Sequence, residues 1–146
     1  FFQLFSKRIF AMELISWESN YSVKVGSIDA DHKKLVEILN SLFMAMSKGE
    51  GSKIISDLVK ELQRYTIYHF SREESFFRIT GYPNTQKHIE EHKQFIGKVK
   101  EYKEKIDKGN NNFSSEMLAY LKDWLLNHIL VTDKACSDHF TNNGIV

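Results

Sequence analysis

Cysteine occurs once in this chain, at Cys136, and proline once, at Pro83. A lone thiol excludes any disulfide within the chain, so stability has to come from a packed core. A reducing cytosol is the natural expectation, with a cysteine-poor periplasmic protein as the alternative. Charge of one sign is missing too: 20 Lys and Arg face 19 Asp and Glu, a formal net charge of +1. No strong field therefore suggests nucleic acid or an anionic membrane as partner. No apolar run reaches the length of a membrane-spanning helix, so membrane insertion is not expected. Glycines are sparse, and the chain has neither a solenoid repeat nor a low-complexity stretch.

Apolar residues, by contrast, are plentiful: 42% of 146 residues are hydrophobic and 13% aromatic. That suffices for one domain with a core of ordinary size. Residues 1–11 differ from the rest. They are aromatic, carry Lys7 and Arg8, and precede Met12. Their charge follows the first apolar residues, whereas a signal peptide puts it first. We read 1–11 as an upstream extension and 12–146 as the domain, with a docking segment as the alternative reading of 1–11.

Breaks are expected at Gly26–Asp29, Lys48–Ser52, Gly81–Asn84 and Lys108–Ser114. Each segment between or after them carries an apolar stripe at steps of three and four. The first has Leu35, Val36, Leu39, Leu42, Phe43 and Met46. The second has Ile55, Leu58, Val59, Leu62, Thr66, Phe70, Phe76 and Phe77. The third has Phe95, Ile96, Val99, Tyr102 and Ile106. The fourth has Met117, Leu118, Leu121, Trp124, Leu125 and Ile129. Opposite faces are rich in Lys and Glu. The pattern predicts an all-α, antiparallel, up-down-up-down four-helix bundle, entered by an N-terminal extended arm.

Five of the six histidines fall on those stripes: His32, His69, His88, His92 and His128. Glu73 joins them four residues after His69, on the same face. Glu74 is about 140° from His69 around the helix, so it is expected to face elsewhere. The same logic pairs His88 with His92 and leaves Glu90 and Glu91 outside. In an antiparallel bundle the start of the first helix, the end of the second, the start of the third and the end of the fourth share one end. All six donors sit at those positions. Asp133 follows His128 by five, a spacing that a regular helix points aside. A break after Ile129, which Thr132 and Asp133 permit as helix-start residues, would return it inward.

One histidine on an apolar face is ordinarily a core residue with a single hydrogen bond. Five with a carboxylate at one end are different, because burying them unpartnered costs several kcal/mol in desolvation. A metal removes that cost. Seven donors exceed the four that one zinc takes, and suit two metals bridged by Glu73 and Asp133. Imidazole and carboxylate without thiolate favour iron or manganese, and the excess of imidazole leans toward iron.

On these motifs the chain resembles the hemerythrin family, in particular the single-domain bacterial hemerythrins. The matching stretches are Ile28 to Leu35, His69 to Glu74, Gly81-Tyr82-Pro83 with His88 to His92, and Trp124 to Ile129 through Asp133, with Trp17 and Tyr21 in the arm. The resemblance implies one iron on His88, His92 and His128 and another on His32 and His69. Glu73, Asp133 and an oxo or hydroxo group would bridge the two irons. It implies reversible dioxygen binding at the two-imidazole iron, in a pocket walled by Leu35, Phe70, Trp124 and Ile129. Phe76 and Phe77 are candidates to extend that wall. The expected role is a non-enzymatic oxygen carrier, store or delivery protein, monomeric, serving an oxygen-consuming enzyme or a redox partner. An oxygen or redox sensor, or a scavenger of peroxide or nitric oxide, is the alternative. Three signals are weaker. Cys136 and His139 form a candidate metal pair but are read as a surface imidazole and an ordinary thiol. Tyr65 and Tyr68 are read as packing residues. Asp31 is expected to affect only the helix start.

Overall fold

A computed structural model describes residues 13–109 and 113–146. The upstream extension expected at 1–11 lies outside the described residues. Four helices make the bundle: α1 (Gly26–Ser47), α2 (Ser52–Thr80), α3 (Thr85–Asp107) and α4 (Ser115–Asn127). A π-helical turn, His128–Asp133, then leads into α5 (Lys134–Asn142). No strand occurs among the described residues. Helix α2 packs on α1 and α3, and α4 closes back onto α1 and α3. This is the antiparallel square that the stripes predict.

The apolar stripes face inward. Leu39, Leu42, Val59, Leu62 and Leu121 are fully buried, while Phe43, Met46, Leu58, Ile96 and Met117 pack half-buried around them. Each fully buried Leu or Val contributes roughly 1.5–3 kcal/mol over the exposed side chain. The helix ends carry local stop and start signals. Ser114 accepts a hydrogen bond from the Met117 N–H at 3.2 Å and caps α4. Helix α2 ends at Gly81, whose φ of +65° places it in the left-handed region while its N–H reaches the Phe77 carbonyl at 2.9 Å. A side chain there would be strained.

One expected break is corrected. Gly26–Asp29 is not a connection but the first turn of α1. Asp29 is the reason: its carboxylate accepts from the Val23 N–H at 2.8 Å and the Ser22 hydroxyl at 2.5 Å. It thereby ties the arm to the start of the helix. Further back the arm is held by a reciprocal pair, the Ile15 N–H to Asn40 Oδ1 and Asn40 Nδ2 to the Ile15 carbonyl, both 2.9 Å. Trp17 and Tyr21 meet edge-on in the same arm.

The core divides into two apolar clusters. The larger fills most of the bundle. The smaller comprises Val23, Val25, Ile28, Phe77, Tyr82, Cys136 and Phe140. On α1 and α2 buried ligating residues lie between the two. On α1 the order is Ile28, His32, Leu35; on α2 it is Phe70, Glu73, Phe77. The arm and α5 thus form an apolar cap over one end of the bundle. No helix among the described residues is long and apolar enough to cross a membrane.

Candidate metal centre

The seven side chains singled out by spacing meet in that polar layer. His32, His69, Glu73, His88, His92, His128 and Asp133 are each at most 2% exposed. They form two sets of converging donors: Glu73 with His88, His92 and His128, and Glu73 and Asp133 with His32 and His69. Glu73 divides its oxygens between the sets. Its Oε1 lies 3.2 Å from His69 Nε2 and 3.8 Å from His32 Nε2, and its Oε2 lies 2.9 Å from His92 Nε2 and 3.2 Å from His88 Nε2. Asp133 does the same. Its Oδ2 is 2.9 Å from His32 Nε2, and its Oδ1 is 3.0 Å from His88 Nε2 and 3.1 Å from His128 Nε2.

These close approaches are not hydrogen bonds. His32 Nε2, His69 Nε2, His92 Nε2 and all four carboxylate oxygens of Glu73 and Asp133 are buried without an aligned partner. Leaving so many polar atoms unsatisfied would be costly in a native core. Donors about 2.1 Å from one cation and at right angles to each other stand about 3.0 Å apart. The observed separations match such edges, and the residues present fit a pair of bound cations.

The electrostatics agree. Burial alone would lower the His69 pKa, but Glu73 and Asp31 outweigh it and hold it at about 9. At His88 burial again pulls down, and Asp133, Cys136 and Glu73 outweigh it, to about 11. Burial would raise Glu73 and Asp133, yet the facing imidazoles hold both carboxyls well below the usual range. The pocket demands positive charge, and protons supply it when no cation does.

Asp133 reaches its place through a wide helical turn and not through the break expected after Ile129. The helix widens into the π turn His128–Asp133, with helical dihedrals at both flanks. A π turn closes i→i+5 hydrogen bonds, so residues five apart stack on one face. That is the His128–Asp133 spacing.

Three further carboxylates support the imidazoles from outside. Asp31 is 3% exposed rather than a mere helix-start residue. It faces His69 Nδ1 at 3.0 Å and accepts from Arg72 Nε at 2.8 Å and the Tyr65 hydroxyl at 3.3 Å. Glu74 Oε1 lies 3.1 Å from His92 Nδ1. Glu91 Oε2 lies 3.1 Å from His128 Nδ1 and accepts from the Thr132 hydroxyl at 2.7 Å. The His128 bond, with Thr132, holds Glu91 at about 2. Each outer carboxylate sits on an earlier element than the imidazole it holds, α1 to α2, α2 to α3, and α3 to the π turn. Adjacency to an inward donor was the available signal: Asp31 precedes His32, Glu74 follows Glu73, and Glu91 precedes His92.

The aromatic residues lie close by. Phe70 stacks flat on His92 with ring centroids 3.7 Å apart, and Trp124 stacks on His128 at 4.5 Å. Leu35, Phe70 and Ile129 are buried and Trp124 is half-buried. Phe77 is in the apolar cap instead, 4.6 Å from His88 and stacked on Phe140. Phe76 is half-buried against that cap. His139 does not join Cys136; its Nε2 accompanies the Thr80 carbonyl at 3.0 Å. Cys136 instead approaches His88 and Asp133.

Comparison with known proteins adds an independent result. The family model described as the Hemerythrin HHE cation binding domain matches residues 23–135. A bacteriohemerythrin of Stenotrophomonas maltophilia is 32% identical over 127 residues, 87% of this chain and 82% of that protein. One from Clostridium acetobutylicum is 32% identical over 126 residues, 84% of this chain and 98% of that protein. A crystal structure of wild-type hemerythrin superposes with a TM-score of 0.82 at 26% identity, covering 88% of this chain and 98% of the other.

Proposed function

Because the chain belongs to the hemerythrin family, we propose that it binds dioxygen reversibly at a non-haem di-iron centre, as an oxygen carrier, store or delivery protein. His88, His92 and His128 would hold one iron and His32 and His69 the other, with Glu73 and Asp133 bridging. The observation that carries this reading is the division of each carboxylate's oxygens between a three-imidazole set and a two-imidazole set. The set with one imidazole fewer leaves room for a ligand from outside. When bound, the iron pair supplies the electrons that dioxygen uptake draws on and release returns.

The chain's own residues supply orientation and dryness. Asp31, Glu74 and Glu91 hold the outer nitrogens of His69, His92 and His128, which turns the inner nitrogens toward the centre. Leu35, Phe70, Trp124 and Ile129 supply apolar surface beside the imidazoles, with Phe70 stacked on His92 and Trp124 on His128, and the small cluster beneath α5 keeps water from the other side. Asp31 lies behind His69, so it is not an acid free to protonate a bound ligand. That arrangement favours binding over peroxidase or scavenging chemistry.

His69→Ala tests the assignment. The purified protein is expected to hold about two irons per chain, and the variant to lose the dioxygen adduct. An adduct that forms and releases normally in His69→Ala would refute the two-imidazole set as the oxygen site.

A further inference from the structure

The donors of the iron centre are nitrogen and oxygen, yet a sulfur stands at their edge. His88, Asp133 and Cys136 offer one ligand atom each, all within 4.8 Å of one another, and all three residues are buried. Cys136 is 1% exposed and uses its thiol hydrogen on the Asp133 carbonyl at 3.1 Å. His88 Nδ1 and both Asp133 oxygens are buried without an aligned partner. A surface cleft of about 140 Å³ has His88 and Glu91 on its wall.

We propose that the metal-free protein has a second, exclusive cation site at His88, Asp133 and Cys136, which takes one thiophilic divalent cation such as Cd²⁺ or Zn²⁺ and thereby blocks loading of the iron pair. Softness decides the preference. A thiolate binds d¹⁰ cations far better than it binds hard ones, so the sulfur adds affinity for Cd²⁺ or Zn²⁺ and little for iron in this pocket. A tetrahedral ion sets its donors about 3.5 Å apart, so donors that already lie within 4.8 Å of one another close only a short distance as the cation binds. As the sulfur–cation bond forms, the S–H bond breaks and its proton passes to solvent; nothing is oxidised or reduced. His88 and Asp133 belong to the proposed iron set as well, so the two occupancies exclude each other.

Cd²⁺ titrated into the metal-free protein tests this. Cys136 is the only cysteine in the chain, so any thiolate-to-cadmium absorption in the near ultraviolet reports on it alone. One Cd²⁺ per chain is expected to bind with that absorption, and iron uptake is expected to fall at least about tenfold in the cadmium-loaded protein. Cys136→Ala is expected to lack the absorption and to regain iron uptake in the presence of Cd²⁺, with Cys136→Ser as the second variant and helical circular dichroism as the check on folding. Cadmium binding without thiolate absorption overturns the proposal, as does iron uptake that Cd²⁺ leaves unchanged in the wild-type protein. Iron uptake by the cadmium-free variants is a separate readout, and its failure would count against the di-iron reading instead.

Discussion

At the scale of single residues, the inward donors were legible and their supports were not. Steps of three and four along a helix state which side chains share its inner face, and they bring His32, His69, Glu73, His88, His92 and His128 to one end of the core. They say nothing about the back of a neighbouring helix. Asp31, Glu74 and Glu91 each point sideways from their own helix and meet an imidazole on a later element, and only the packed bundle reveals it. The tightest of these contacts sets a prediction. Asp31 is buried and joined to His69, Arg72 and Tyr65, so Asp31→Asn keeps the shape but removes the charge that makes His69 a stronger donor. Metal affinity is expected to fall by about 10–100-fold, measured by competition with a chelator. Unchanged affinity would mean that the contact only packs the helices.

At the scale of elements, the four helices followed from the stripes, but two boundaries did not. Asp29 draws the arm onto the first turn of α1, so the residues around Gly26 read as a break and fold as a helix. The π turn was hidden because its hydrogen bonds skip one residue more than the period a sequence is read with. Asp133 was therefore identified with its backbone route mistaken. The wide turn amounts to one residue inserted into an α-helix. Val131, 61% exposed, lies within it. Deleting Val131 should restore a regular helix in which the aspartate follows His128 by four and still faces inward. That deletion is expected to keep both metal ions. Inserting one alanine after Val131 turns Asp133 and α5 aside by about 100°, and is expected to lose metal and uncover the cap. Metal analysis and circular dichroism of the two variants decide it; loss of metal in the deletion variant would contradict the geometric account of the turn.

At the scale of the whole molecule, antiparallel topology collects donors from four helices into one layer, and apolar clusters seal that layer from both sides. The cost is a pocket that needs positive charge. In the metal-free protein His69 and His88 hold protons up to about 9 and about 11, above the usual histidine value of about 6.5. Their contribution to stability is full below that value and is lost as pH rises through the raised ones. Glu73 and Asp133, held low, contribute above about 4 and lose their contribution as pH falls. The melting temperature of the metal-free protein is therefore expected to drop between about pH 7 and 11, while the loaded protein, whose imidazoles are neutral ligands, holds steady. A parallel decline in both forms would show that the pocket is not what titrates. The central claim is reversible dioxygen binding at two irons, and the optical spectrum of the reduced, iron-loaded protein tests it most directly as dioxygen is admitted and then removed. A charge-transfer band is expected to appear on admission, disappear on removal and return over repeated cycles with iron still bound; oxidation in the first cycle, with no return to the starting spectrum, would contradict reversible binding.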